Sequence, residues 1–230
     1  MIDNIFNTYE GDMAIYGDFE VPVPTWDMTK KIDFSVVVAL ILRSNTNIKT
    51  DKHRYIDYSK INKNQICEEC KISRQTLDRR LKYLEEKQIL IAVNTSRGLT
   101  YKINYALDGK YYVVIHHRLL KNLLKYTNKD AIKVYLLLKI QCDILNNNKP
   151  MTNAYLCNLL GYPTNNERNL TNIGSWTNTL ANNGFIEKIQ NRVYETNKEG
   201  KKVIIRTDTY YKINTLETWS KKKDKGTVKI

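Results

Sequence analysis

The chain of 230 residues is long enough for one large domain or two of about 100 to 115 residues. Its 42% hydrophobic and 10% aromatic content suffices for ordinary cores and excludes wholesale disorder, and no run approaches the roughly 20 apolar residues of a membrane span. The charge excess is basic, 37 Lys and Arg against 24 Asp and Glu, net +13, which points to a polyanionic partner.

The first 28 residues hold six acids and no Lys or Arg, so the basic excess belongs wholly to the rest of the chain. Residues 1–18 read as an acidic arm that is solvated, shields a basic face or docks on a partner. No basic region precedes an apolar segment there, so no signal peptide is expected. The four cysteines, Cys67, Cys70, Cys142 and Cys157, are too sparse for a disulfide framework and suit a reduced cytoplasm.

In chain order, residues 19–24 form an extended lead-in. Asp33 is a suitable N-cap for a buried helix over Phe34–Ser44. Asn45–Tyr58 is polar and reads as a loop. Asn62 caps a short helix over 63–70, with Ile66 and Cys67 inward. Lys71 and Ile72 make a turn, and Ser73 caps a helix from Arg74 to Lys87. Leu77, Leu81 and Leu84 are spaced four and three apart, one helical stripe. Ile89–Asn94 and Leu99–Asn104 then predict a hairpin about Thr95-Ser96-Arg97-Gly98.

The same order returns in the second half. Tyr101-Lys102-Ile103-Asn104 recurs as Tyr211-Lys212-Ile213-Asn214; Leu84, Ile89 and Leu90 fall on Leu180, Phe185 and Ile186. Tyr111–His116 matches Phe19–Pro24 as a second lead-in. Asn128 caps a helix over Lys129–Leu145, and Thr152 a short helix over Asn153–Leu160, which Gly161 and Pro163 end. A third helix over 167–182 turns Leu170, Ile173, Thr177 and Leu180 inward. Phe185–Tyr194 and Val203–Ile213 form the hairpin. The reading is an α+β, helix-rich chain of duplicated modules: an acidic arm 1–18, modules 19–107 and 110–216, and a basic tail 217–230 whose Lys221–Lys225 run is expected to be disordered.

Ser73-Arg74-Gln75-Thr76-Leu77, followed by Leu84-Glu85-Glu86-Lys87-Gln88-Ile89-Leu90, resembles the recognition-helix segment of winged helix-turn-helix DNA-binding proteins. The second copy supplies the glycine of that pattern in Asn183-Gly184-Phe185-Ile186; the first has Gln88 there. The tandem arrangement resembles plasmid replication initiators and the helix-turn-helix regions of phage replisome organisers. The resemblance implies two tandem winged-helix domains that bind double-stranded DNA.

Opposite the leucine stripe lie Gln75, Arg79, Lys82 and Glu86, flanked by Arg74, Thr76, Arg80 and Tyr83. Arg forks onto guanine and Gln onto adenine in the major groove. Ser73 and the free N–H groups of the helix start suit a phosphate. Lys60, Lys63 and Lys71 lie nearby and flank the groove, Lys63 as a phosphate contact, and Arg97 is a minor-groove contact. In the second copy, Arg168, Asn169, Thr171, Asn172 and Ser175 form an amide- and hydroxyl-rich reading face. Its competing reading is a packing or homodimer surface anchored by Trp176. Arg192, Lys198, Lys201 and Lys202 form a basic fringe on the second hairpin.

Cys67-Glu68-Glu69-Cys70 lacks the further ligands of a zinc site, and His116-His117 has only His53 besides. No phosphate loop or catalytic set stands out, so no catalytic residue, metal or cofactor is expected. The expected function is cytoplasmic and non-enzymatic: binding origin repeats in plasmid or phage replication and recruiting host replication proteins, with no membrane role. A transcriptional regulator is the alternative within DNA binding, and a protein-interaction adaptor the alternative outside it. The lack of an evident ligand-binding or dimerisation domain favours initiation.

Overall fold

The computed structural model describes residues 20–25, 28–46, 54–58, 61–95, 98–104, 112–145, 149–197 and 200–224. Among these residues eight helices and three antiparallel sheets form an α+β chain that divides into two compact units. The first comprises residues 1–27 and 32–132, the second 28–31 and 133–230.

In the first unit, β1 (Glu20–Pro24) is followed by α1 (Phe34–Ile41). Every residue of α1 is buried. The Asp33 carboxylate starts it by accepting from the Ser35 backbone N–H and hydroxyl, at 3.1 and 2.6 Å. Strands β2 (Asn45–Thr46) and β3 (Arg54–Asp57) come next, then α2 (Lys63–Cys70) and α3 (Arg74–Glu86). Asn62 and Ser73 cap these helices as expected, accepting from Gln65 and Thr76 N–H. The α2–α3 turn is closed by Lys71 in the left-handed region, φ 55°. Leu77, Leu81 and Leu84 form the buried stripe of α3, each worth about 1.5–3 kcal/mol of burial. A hairpin follows, β4 (Leu90–Thr95) with β5 (Gly98–Ile103).

The expected loop over Asn45–Tyr58 is corrected by β3, which pairs with β5 and makes the sheet order β2-β3-β5-β4. Ile56 is the one buried apolar side chain of β3, at 1% exposure. The other buried position is Arg54, whose guanidinium donates to the Ser44 hydroxyl and carbonyl at 2.6 and 2.8 Å. Its strand alternation is therefore half polar by composition, and no apolar pattern marks it.

The second correction concerns the two lead-in segments. β6 (Tyr112–His116) pairs antiparallel with β1, Val21 opposite Ile115 and Val23 opposite Val113. Both segments lie in the first unit, as does α4 (His117–Tyr126), which follows β6 directly. Contacts divide the chain within the first turn of α5 (Lys129–Leu145), whereas the sequence places the boundary at 107–110. Residues 105–111 lie outside the described residues.

In the second unit, α5 buries Val134–Leu138 and Cys142. Helices α6 (Asn153–Leu159) and α7 (Glu167–Asn182) follow. They approach closely at Gly174, where an added Cβ would sit 3.2 Å from Asn153 Nδ2. Asn153 in turn donates to the Leu170 carbonyl at 3.0 Å. Ile173, Thr177 and Leu180 are buried as expected; Leu170 is half-buried. Strands β7 (Ile186–Thr196) and β8 (Lys202–Ile213) form a long hairpin with a bulge between Val193 and Tyr194.

The supposed basic tail begins as α8 (Leu216–Asp224). Trp219 stacks on Phe185, centroids 5.8 Å apart, and its indole N–H donates to the Asn183 carbonyl at 2.8 Å. Lys222 pairs with Glu187 at 2.7 Å. One aromatic anchor thus orders a segment whose lysines alone suggest a solvated tail. Residues 225–230 lie outside the described residues, as does the acidic arm.

Candidate nucleic-acid interface

The turn between α2 and α3 positions the first candidate face. Ser73 Oγ accepts from Thr76 N–H at 3.2 Å and lies 3.0 Å from the Thr76 hydroxyl. With the leucine stripe turned inward, Gln75, Arg79 and Lys82 are exposed on the other side. The side chains of Gln75 and Lys82 have no hydrogen bond or ion pair among the described residues, and that of Arg79 makes only a long contact, 3.4 Å, to the Thr76 hydroxyl. These three side chains can reach outward without losing a structural bond.

Three other expected contacts are tied into the fold. Lys63 donates to Asp78 at 2.8 Å, joining the start of α2 to α3. That hydrogen bond holds the Asp78 carboxyl below its usual range, with Arg74 helping. Arg74 donates to Asn64 Oδ1 at 3.0 Å and lies 3.6 Å from Asp78. Arg80 is half-buried, with Nε 3.6 Å from Asp33, the N-cap of α1. Lys63 and Arg74 thus join α2 to α3, Arg80 joins α3 to α1, and only Arg74 among them is exposed. Lys60 and Arg97 lie outside the described residues.

The second face is built on α7. Asn166 caps the helix by accepting from Arg168 N–H at 3.0 Å. The helix therefore begins at Glu167, where the sequence reading places it. Asn169 is half-buried and donates to the Pro163 carbonyl at 3.0 Å. Arg168, Thr171 and Ser175 are exposed, and Asn172 is half-exposed. Trp176 packs against Tyr162, centroids 6.2 Å apart. Its ring is thus partly used within the second unit, which weakens it as an anchor for another molecule.

On the β7–β8 hairpin, Arg192, Lys201 and Lys202 are exposed. Arg206 faces Asp208 at 3.2 Å. Lys198 lies outside the described residues. Tyr194, Ile204 and Ile205 are also exposed, at 50–54% of their surface. At 11 and 12 residues its strands are twice the length of β4 and β5.

One basic face escaped the sequence reading. α4 buries Leu119, Leu120, Leu123 and Leu124 and exposes Arg118, Lys121 and Lys125. The doubled leucines at helical spacing are the signal that could have found it. Among the described residues no three His, Cys, Asp or Glu side chains are grouped to hold a metal. No helix there is long and apolar enough to cross a membrane.

Comparison with protein-family models, curated proteins and solved structures finds no match for this chain.

Proposed function

We propose that this chain is a sequence-specific double-stranded DNA-binding protein built from two tandem winged-helix modules, and that it initiates plasmid or phage replication at repeated origin sites. The observation that carries the reading is α3. A capped helix follows a tight turn, buries one leucine stripe and presents Gln75, Arg79 and Lys82 away from it. Residues of those types at that spacing match the edges of purines in the major groove.

The helix, turn, helix and hairpin order occurs in each unit, and the basic excess of the chain suits the phosphate backbone. In this reading the β4–β5 and β7–β8 hairpins act as wings. The basic α3 face and the amide-rich α7 face read different base patterns. Two linked readers raise each other's effective concentration on paired sites, which suits origin repeats and the recruitment of host replication proteins in the cytoplasm.

The test is selection from a random duplex library with the full chain, followed by affinity measurements over a salt series. An enriched motif, with affinity falling steeply as salt rises, supports the reading. Affinity that is insensitive to salt and sequence overturns it.

A further inference from the structure

We infer that the exposed face of α4, continued by Lys71, is a second phosphate-backbone site, distinct from the α3 reading face. The inference rests on the chain being a duplex-DNA binder. Arg118, Lys121 and Lys125 are spaced three and four apart and so share one face of the helix, which contains no Asp or Glu. From Arg118 to Lys125 is about 10 Å along the axis, the rise occupied by about three phosphates of one strand.

Lys71 connects this face to the reader. Its ammonium donates to the Lys125 carbonyl at 3.2 Å, and it stands two residues before Ser73, the cap of α3. A basic track therefore leads from the turn before the reading helix onto the last turn of α4 and back along that helix. A backbone lying at the start of α3 would meet Lys71 and Lys125 next, then Lys121 and Arg118.

The core contacts of α4 come from its leucines. Arg118 sits in the first turn, which holds no acid, at the positive end of the helix dipole where a cation is unfavourable. The cations also repel their neighbours: His117 is held below its usual pKa by burial and then by Lys121. A helix that carries Arg118 against its own dipole and holds no acid of its own fits a polyanion supplied from outside.

The experiment compares the full chain with an Arg118→Gln, Lys121→Gln, Lys125→Gln variant and with Lys121→Gln alone. Binding to a random-sequence duplex of about 30 base pairs is followed by anisotropy from about 50 to 300 mM salt. The triple variant is expected to lose about two to three units of salt slope and the single variant about one, with sequence preference retained. Glutamine preserves helix propensity, and an unchanged circular dichroism spectrum checks the fold. A wild-type chain that binds steeply with salt, beside variants of identical slope, overturns the inference alone. If removing residues 1–18 then tightens wild-type binding, the track belongs to the acidic arm. A wild-type chain that does not bind the duplex overturns the DNA reading and this site together.

Discussion

The Asn214 side-chain amide donates to the Gly184 carbonyl at 2.7 Å, closing the turn that leaves α7. Asn104 does the same to Gln88 after α3, at 3.1 Å. In each case the asparagine backbone N–H also bonds the next carbonyl, of Phe185 or Ile89. The repeated Tyr-Lys-Ile-Asn is thus a structural device. Its tyrosine packs inward, and its asparagine ties the last strand to the end of the third helix. Asn214 is buried and Asn104 half-exposed. Asn214→Ala should therefore cost about 1–3 kcal/mol by leaving a buried carbonyl unpaired, and Asn104→Ala about 0.5–1 kcal/mol. Urea denaturation of the two variants checks the order; equal losses would contradict it.

The residues that receive these bonds both have positive φ, 56° at Gln88 and 73° at Gly184. A side chain there costs about 1 kcal/mol, which glycine avoids. Gln88→Gly should raise stability by roughly 0.5–1 kcal/mol, and Gly184→Ala should lower it by about as much or more. The Gln88 side chain also donates to the Glu85 carbonyl at 3.3 Å, a long exposed bond too weak to reverse the sign. Melting temperatures of the two variants should move in opposite directions.

The regular elements were readable where apolar spacing was regular. The leucine stripe of α3, the caps Asp33, Asn62, Ser73 and Thr152, and both hairpins follow from local patterns. The strand β3 did not, because Arg54 occupies a core position through its bonds to Ser44, a contact between distant residues. The pairing of β1 with β6 joins segments almost a hundred residues apart, which no local pattern specifies. At the candidate interface, α3 showed which cations face outward. It did not show that Lys63 and Arg80 are taken up by Asp78 and Asp33, since carboxylates on neighbouring helices decide that.

Acid should loosen α8 before the rest of the second unit. The Lys222 hydrogen bond holds Glu187 below its ordinary value of 4.5. A depressed carboxylate stabilises the fold above its unfolded pKa, and that contribution is lost as pH falls through the folded one. The docking of α8 should weaken below about pH 4.5. Glu187→Gln should remove this pH dependence. Trp219 on Phe185 is the reporter, read by fluorescence in a Trp26→Phe, Trp176→Phe background.

Cys70 and Cys142 should be poor nucleophiles. Burial pushes the Cys70 thiol up to about 12 and the Cys142 thiol up to about 11. Cys142 also donates to the Tyr211 carbonyl at 3.3 Å. At pH 8 both should react with iodoacetamide far more slowly than a free thiol, because the thiolate is the reactive form. Mass spectrometry of the labelled native chain measures this. Rapid labelling of Cys70 would point to reactive-thiol chemistry in the Cys67–Cys70 pair.

The central claim is that the exposed side of α3 reads bases, and Arg79 tests it most directly. Its guanidinium is exposed and, among the described residues, makes only the long contact to Thr76, so Arg79→Ala should leave the melting temperature nearly unchanged. On the duplex motif selected by the wild-type chain, affinity should fall by about 1–3 kcal/mol, roughly ten- to a hundredfold. The preference at one base position should relax, and binding to random duplex should fall much less. A folded Arg79→Ala protein that binds and discriminates as the wild type does would contradict the account.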